Sequence, residues 1–141
     1  MNYQAENGGM GLTHVRIRVA KDRGSPVRSV RALVDTGATY TMLPRRALEA
    51  LGVAPEDRVL VRLGAGRLME RPLGAVFVRY GTHGAWTQVL FGERGDACVL
   101  GALTLEELRL QVDPRSQRLR EVKVALLVPL RSAPSAVRQP S

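Results

Sequence analysis

Asp35 ends the apolar run Ala32-Leu33-Val34 and opens Thr36-Gly37-Ala38-Thr39, so one carboxylate is delivered from a hydrophobic stretch into a tight turn. That placement suits acid–base work by a single side chain. Asp, Thr and Gly are also ordinary turn residues after a strand, so the tripeptide by itself fits a purely structural turn as well. The other aspartates, Asp22, Asp57, Asp96 and Asp113, follow no comparable apolar run, and none precedes Thr-Gly or Ser-Gly. His14 and His83 stand far apart with no ligand spacing around them, so no metal site is expected. No Gly-rich phosphate loop, catalytic serine or paired-cysteine motif is present.

Holding Asp35 in place requires rigid elements, and the chain reads as strands around it. Residues 13–20 alternate Val15, Ile17 and Val19 with Arg16 and Arg18, the period of a half-buried strand. Lys21 to Pro26 break that strand, and Val27 to Val34 supply the return arm of a hairpin whose end carries Asp35. Pro44 suits a first helical position, Arg45 to Leu51 are good helix formers and Gly52 suits a left-handed cap, which predicts a helix over 44–51. Val59 to Leu63 and Leu68 to Tyr80 read as strands around Gly64-Ala65-Gly66, followed by short strands at 88–91 and 98–100. Thr104 and Glu107 fit a capping box, which predicts a second helix over about 105–110. A last strand is expected from Glu121 to Val128. The fold class is therefore all-β, a small closed or nearly closed β-barrel with two short helices and Asp35 near its mouth.

A length of 141 residues suits one domain. With aromatics at 4% and hydrophobic residues at 45%, the core has to come mainly from Val, Leu and Ala. Residues 1–12 are expected to be flexible, 13–128 to form the domain and 129–141 to be a disordered basic tail. The polar, Gly-rich start lacks a secretory pattern, no apolar run reaches the ~18 residues of a membrane span, and Cys98 is the single cysteine. A soluble protein of the reducing cytoplasm, without membrane contact, is expected. Cys98 itself is expected to pack as a small apolar group. The net charge is +8, yet its arginines are interleaved with apolar positions, and no aromatic platform accompanies them. Nucleic-acid binding is accordingly not expected from the sequence, although Arg115, Arg118, Arg120, Lys123, Arg131 and Arg138 cluster late in the chain.

The apolar run with Asp35-Thr36-Gly37-Ala38, together with Cys98-Val99-Leu100-Gly101 downstream, resembles the retropepsin-like branch of the aspartic proteases over approximately Thr13 to Val128. The resemblance implies an aspartic endopeptidase acting on peptide or protein substrates, with no metal or organic cofactor. Carboxylate-based peptide hydrolysis needs two carboxyl groups sharing one proton. The resemblance therefore implies a homodimer in which Asp35 of each copy forms the dyad. Thr36 would lock the two active-site loops, and Gly37 would leave room for the substrate backbone, with Ala38 completing the loop. Leu63-Gly64-Ala65-Gly66-Arg67 would be the tip of a flap closing over substrate, and Val99, Leu100 and Gly101 would be scaffold behind the catalytic loop. Activity is expected to peak at acidic to mildly acidic pH. Candidate pocket residues are Met42, Leu63, Leu68, Val89 and Leu100, and spacing does not decide which of them face the cleft.

Two positions depart from the retroviral pattern. An Asp and an Arg that usually form an ion pair are replaced by Thr39 and Ala102. The pattern is closer to bacterial and cellular members. It leaves a second reading open, a catalytically weak or inactive peptide-binding or dimerisation module on the same fold.

Overall fold

The structure, a computed structural model, describes residues 13–123. Strands β1 (His14–Ala20) and β2 (Val27–Val34) form the opening antiparallel hairpin, in register from His14 opposite Leu33 to Ala20 opposite Val27. Alternation along β1 turns Ile17 and Val19 into the core and leaves Arg16 and Arg18 in solvent. The next strand, β3 (Thr41–Pro44), leads directly into helix α1 (Arg45–Ala50). Strands β4 (Asp57–Arg62) and β5 (Leu68–Tyr80) form a hairpin around a 3-10 turn at Gly64–Gly66, and β6 (His83–Gly92) returns along β5. A short β7 (Val99–Leu100) precedes helix α2 (Ala102–Glu107), and β8 (Leu110–Val112) with β9 (Leu119–Glu121) makes a separate small hairpin.

The all-β architecture is as expected, and its pairings return on themselves. β1 pairs β2, β2 runs parallel to β7, β7 meets β3, β3 runs parallel to β6, β6 pairs β5, and β5 pairs β1. Closing the ring gives each of its six strands a neighbour on both sides and leaves fewer open edges than a flat sheet would. The length of β5 makes this possible: residues 68–73 pair with β4, and residues 77–79 pair with β1. β4 thus leaves the ring as the outer arm of a projecting hairpin.

Inside the ring the core is aliphatic, built on Ile17, Val19, Val34, Leu43, Val76, Val78, Val89 and Leu100, with Phe91 as its buried aromatic. Leu48 of α1 and Leu105 of α2 close it from the helices. Burying each of the larger side chains contributes about 1.5–3 kcal/mol.

Several elements differ from the sequence reading. β3 was not expected, because four residues are too few to show a period. Pro44 ends that strand with extended backbone (φ −59°, ψ 134°) and precedes the helix instead of occupying its first turn. Gly52 does take the left-handed conformation after α1, at φ 82°. β6 starts at His83, since Gly81 at φ 60° lets a tight turn do what a four-residue loop was expected to do. Helix α2 begins at Ala102, and Thr104 lies inside it, fully buried, so the capping box does not form. Glu121 ends β9, and most of the strand expected over 121–128 lies outside the described residues, as do the segments 1–12 and 129–141.

Candidate active site

The carboxylate in question sits where three short strands converge. β7 lies between β2 and β3, parallel to one and antiparallel to the other, with Leu33 opposite Val99 and Met42 opposite Val99. As β2 leaves the sheet, the Asp35 N–H donates to the Leu100 carbonyl at 3.0 Å. The chain then turns tightly: Ala38 N–H donates to the Asp35 carbonyl at 3.1 Å, and Gly37 N–H donates to Asp35 Oδ1 at 2.9 Å. The carboxylate is therefore oriented by its own turn, half-buried, with Thr36 and Gly37 exposed beside it.

Behind the turn, α2 is bonded to the loop through main chain. Ala102 N–H donates to the Ala38 carbonyl at 2.7 Å, and Leu103 N–H donates to the Thr39 carbonyl at 3.1 Å. Thr39 and Ala102, which replace the retroviral ion pair, are not bonded to each other; each is tied to a neighbour of the other through main chain. Gly101 makes the approach possible, because a Cβ there would fall 2.5 Å from the Tyr40 carbonyl. A buried chain of hydroxyls supports the same place. Gly101 N–H donates to Thr41 Oγ1 at 3.0 Å, the Thr41 and Thr104 oxygens are 2.5 Å apart, and those of Thr104 and Thr87 are 2.7 Å apart. Each of these three buried hydroxyl oxygens thus has a hydrogen-bond partner.

In front of Asp35 lies a cleft of about 830 Å³ beneath the β4–β5 hairpin. Its walls include Gly37, Ala38 and Tyr40 from the Asp35 loop and Val59, Val61 and Leu63 from the hairpin. Gly64 and Arg67 reach the cleft from the hairpin tip, where Gly66 adopts φ 78°. Added Cβ atoms at Gly64 and Gly66 would meet nothing within 4 Å, so this tip is unencumbered. Of the proposed pocket residues, Met42 and Leu63 line the cleft. Val89 and Leu100 point into the core instead, and their neighbours Leu90 and Val99 face the cleft, because a shift of one residue reverses the face of a strand. Leu68 is half exposed and is not part of the cleft wall.

Residues 15–102 match the family model described as Aspartyl protease. The chain belongs to this aspartyl protease family. No curated protein matches it. Among solved structures, it is similar to EIAV protease in complex with the inhibitor HBY-793, with a TM-score of 0.53 at 17% identity, covering 77% of this chain and 94% of that one. The likeness identifies the fold as retropepsin-like.

In this aspartyl protease family member, a second carboxylate also reaches the cleft. Asp96, from the loop between β6 and β7, lines its wall. Sequence reasoning passed over it because it lies in a Gly-rich turn with no motif. It is held by Arg71 of β5, whose Nε and Nη2 donate to the two carboxylate oxygens at 2.8 and 3.1 Å, and by the Glu93 N–H at 2.7 Å. Burial pushes the Asp96 carboxyl up, but the Arg71 and Glu93 hydrogen bonds outweigh it and hold the group below the usual carboxylate range. A faint signal exists in the sequence, since Arg71 directly precedes the apolar stretch of β5 and a buried arginine requires a partner. Among the described residues, no group of three or more His, Cys, Asp or Glu side chains could hold a metal, and no helix is long and apolar enough to cross a membrane.

Proposed function

We propose that this chain is an aspartic endopeptidase whose active centre forms between two copies, each contributing Asp35. The observation that carries the reading is the unequal state of the two carboxylates at the cleft. Asp96 is committed to a bidentate pair with Arg71 and to the Glu93 N–H, which hold it ionised as a counter-charge and so oppose its sharing a proton with Asp35. Asp35 accepts one N–H from Gly37 and is otherwise open to the cleft. A dyad therefore calls for a second Asp35, and two-fold symmetry brings identical turns together. Thr36 supports that arrangement, because it is exposed on the far side of the turn. There it borders a second depression of about 530 Å³, formed with Ala102, Leu105 and Val112, where a partner surface could seat.

In this mechanism the two Asp35 carboxyl groups share one proton. One carboxylate accepts a proton from water as it attacks the scissile carbonyl, and the other donates to the carbonyl oxygen. The β4–β5 hairpin, with Gly64, Ala65 and Gly66 at its tip, would cover the peptide, and Val99, Leu100 and Gly101 would hold the loop from behind. Residues 13–128 would make up the functional unit. Incubating the protein with a peptide library between pH 3 and 8, beside Asp35→Asn, tests the reading. Cleavage should fall by about 10²–10⁴-fold in the variant, the range for loss of an acid–base group. Equal cleavage by both proteins would remove Asp35 from the chemistry, and peptide binding without cleavage by either would favour a non-catalytic binding module.

A further inference from the structure

The outer face of the sheet around β1 carries a charge pattern that the cleft does not use. Strand pairing sets Arg16 directly opposite Arg31 on β2 and Arg18 directly opposite Arg79 on β5. Like charges in directly opposed positions destabilise a sheet, and neighbours on one face stand only ~5–7 Å apart. From the β1–β2 turn, Arg23 extends the row. Its guanidinium lies 5.0 Å from the centre of the Phe77 ring, as does that of Arg79. Phe77 belongs to this outer face, opposite Ala20 and between the inward-facing Val76 and Val78, yet it is buried beneath these neighbours. Directly across from Phe77 on β6, Trp86 packs edge-on against it at 5.5 Å and 75° and remains 45% exposed.

Among the described residues, none of Arg16, Arg18, Arg23, Arg31 and Arg79 takes part in an ion pair. Arg18 donates to the Gly81 carbonyl at 3.1 Å, which leaves its charge uncompensated. Asp22 in the adjoining turn accepts a hydrogen bond from the Ser25 hydroxyl. The face thus presents closely spaced guanidiniums ending at an exposed indole.

We infer that this face binds single-stranded nucleic acid, with phosphates along the arginine row and an unstacked base against Trp86. A polyanion relieves both like-charge pairs at once, and guanidinium geometry matches phosphate oxygens in bidentate fashion. A positive track combined with an aromatic surface is what sequence-tolerant binding of single strands requires. An acidic peptide would satisfy the arginines and leave the indole unused. Sequence reading lacked this aromatic partner because Trp86 reaches the arginines only through the β1–β5–β6 ladder. The inference does not depend on the catalytic reading, since the cleft lies elsewhere, under the β4–β5 hairpin.

The test titrates the full chain with a labelled 12-nucleotide oligouridylate across 25–250 mM salt, following anisotropy and the emission of Trp86, the single tryptophan. Binding should weaken steeply with salt and change the tryptophan emission. Arg16→Gln/Arg31→Gln should weaken it about tenfold or more and reduce the salt slope by about 1.4, the amount for two phosphate contacts to a single strand. Trp86→Leu should cost about fivefold or more. Arg115→Gln/Arg118→Gln, which removes equal charge elsewhere, should leave affinity within about threefold. Absence of binding at 25 mM salt, an unchanged tryptophan emission or an equal loss in the control variant would overturn the inference. Tighter binding to phosphatidylserine vesicles or to polyglutamate than to the oligonucleotide would overturn it too.

Discussion

At the scale of single residues, Asp35 matters through what is fixed around it, and Gly101 is the clearest case. Its missing side chain lets α2 approach Tyr40 and Ala38 closely enough for the Ala102 N–H to reach the Ala38 carbonyl. Gly101→Ala would drive a methyl group into main-chain atoms that a rotamer change cannot move aside. The expected destabilisation is about 1–3 kcal/mol, the usual cost of overpacking, read as a drop in thermal midpoint. Peptide cleavage should fall with it, since the displaced atoms carry the Asp35 turn. Cys98 illustrates the opposite situation, a reactive group made inert. Burial pushes its thiol up to about 11, so almost none is thiolate near neutrality. Iodoacetamide at pH 8 should modify Cys98 in the native protein roughly a hundredfold more slowly than in denaturant, because only the thiolate attacks.

At the scale of elements, the Arg71–Asp96 pair joins β5, the inner arm of the projecting hairpin, to the loop that walls the cleft. The same loop is tied to α1 through Glu93, whose carboxylate accepts from Arg45. Asp96→Asn would leave the buried Arg71 without its counter-charge, a change that typically costs about 3–5 kcal/mol. Arg71→Met/Asp96→Leu should recover much of that stability, because both charges then leave the interior together. The pH dependence follows from the direction of the Asp96 shift. Its folded carboxyl is held below its unfolded value, so the stabilisation is fully present above an ordinary aspartate pKa of about 3.9 and is lost as pH falls through the lowered folded value. Denaturant midpoints should stay level in this respect from neutrality down to about pH 4 and decline below it, and Asp96→Asn should flatten that decline. The pair therefore holds the cleft wall across the mildly acidic range where carboxylate-dyad chemistry operates.

At the scale of the whole molecule, the proposed chemistry is bimolecular in protein. Specific activity should fall as the chain is diluted below the dissociation constant of the dimer, tracking the dimer fraction measured by sedimentation. Mixing wild-type chain with excess Asp35→Asn should suppress activity further than dilution does, because mixed dimers carry only one ionisable Asp35. Activity proportional to concentration at all dilutions, with a monomer throughout, would contradict a shared dyad. Closure of the sheet ring explains how so small a chain can present half a site rigidly: β2, β3 and β7 are held on both sides, and the Asp35 turn emerges between them.

Much of this was legible in the sequence, for a physical reason. Alternation in β1, the glycine after α1 and the apolar run before Asp35 are local patterns, and local backbone preferences reveal them. So the all-β class, the opening hairpin and the turn that carries the carboxylate were determined by sequence alone. Tertiary structure decided which faces β6 and the short β7 present, turning Leu90 and Val99 to the cleft and Val89 and Leu100 to the core. It also drew Thr104 out of a capping role into a hydroxyl chain, paired Arg71 with Asp96 and set Trp86 beside the arginines of β1 and β5. Each of these depends on contacts between residues distant in sequence. Two- to four-residue strands have too few positions to show a period, and the partner of a buried charge is fixed only when the ring closes.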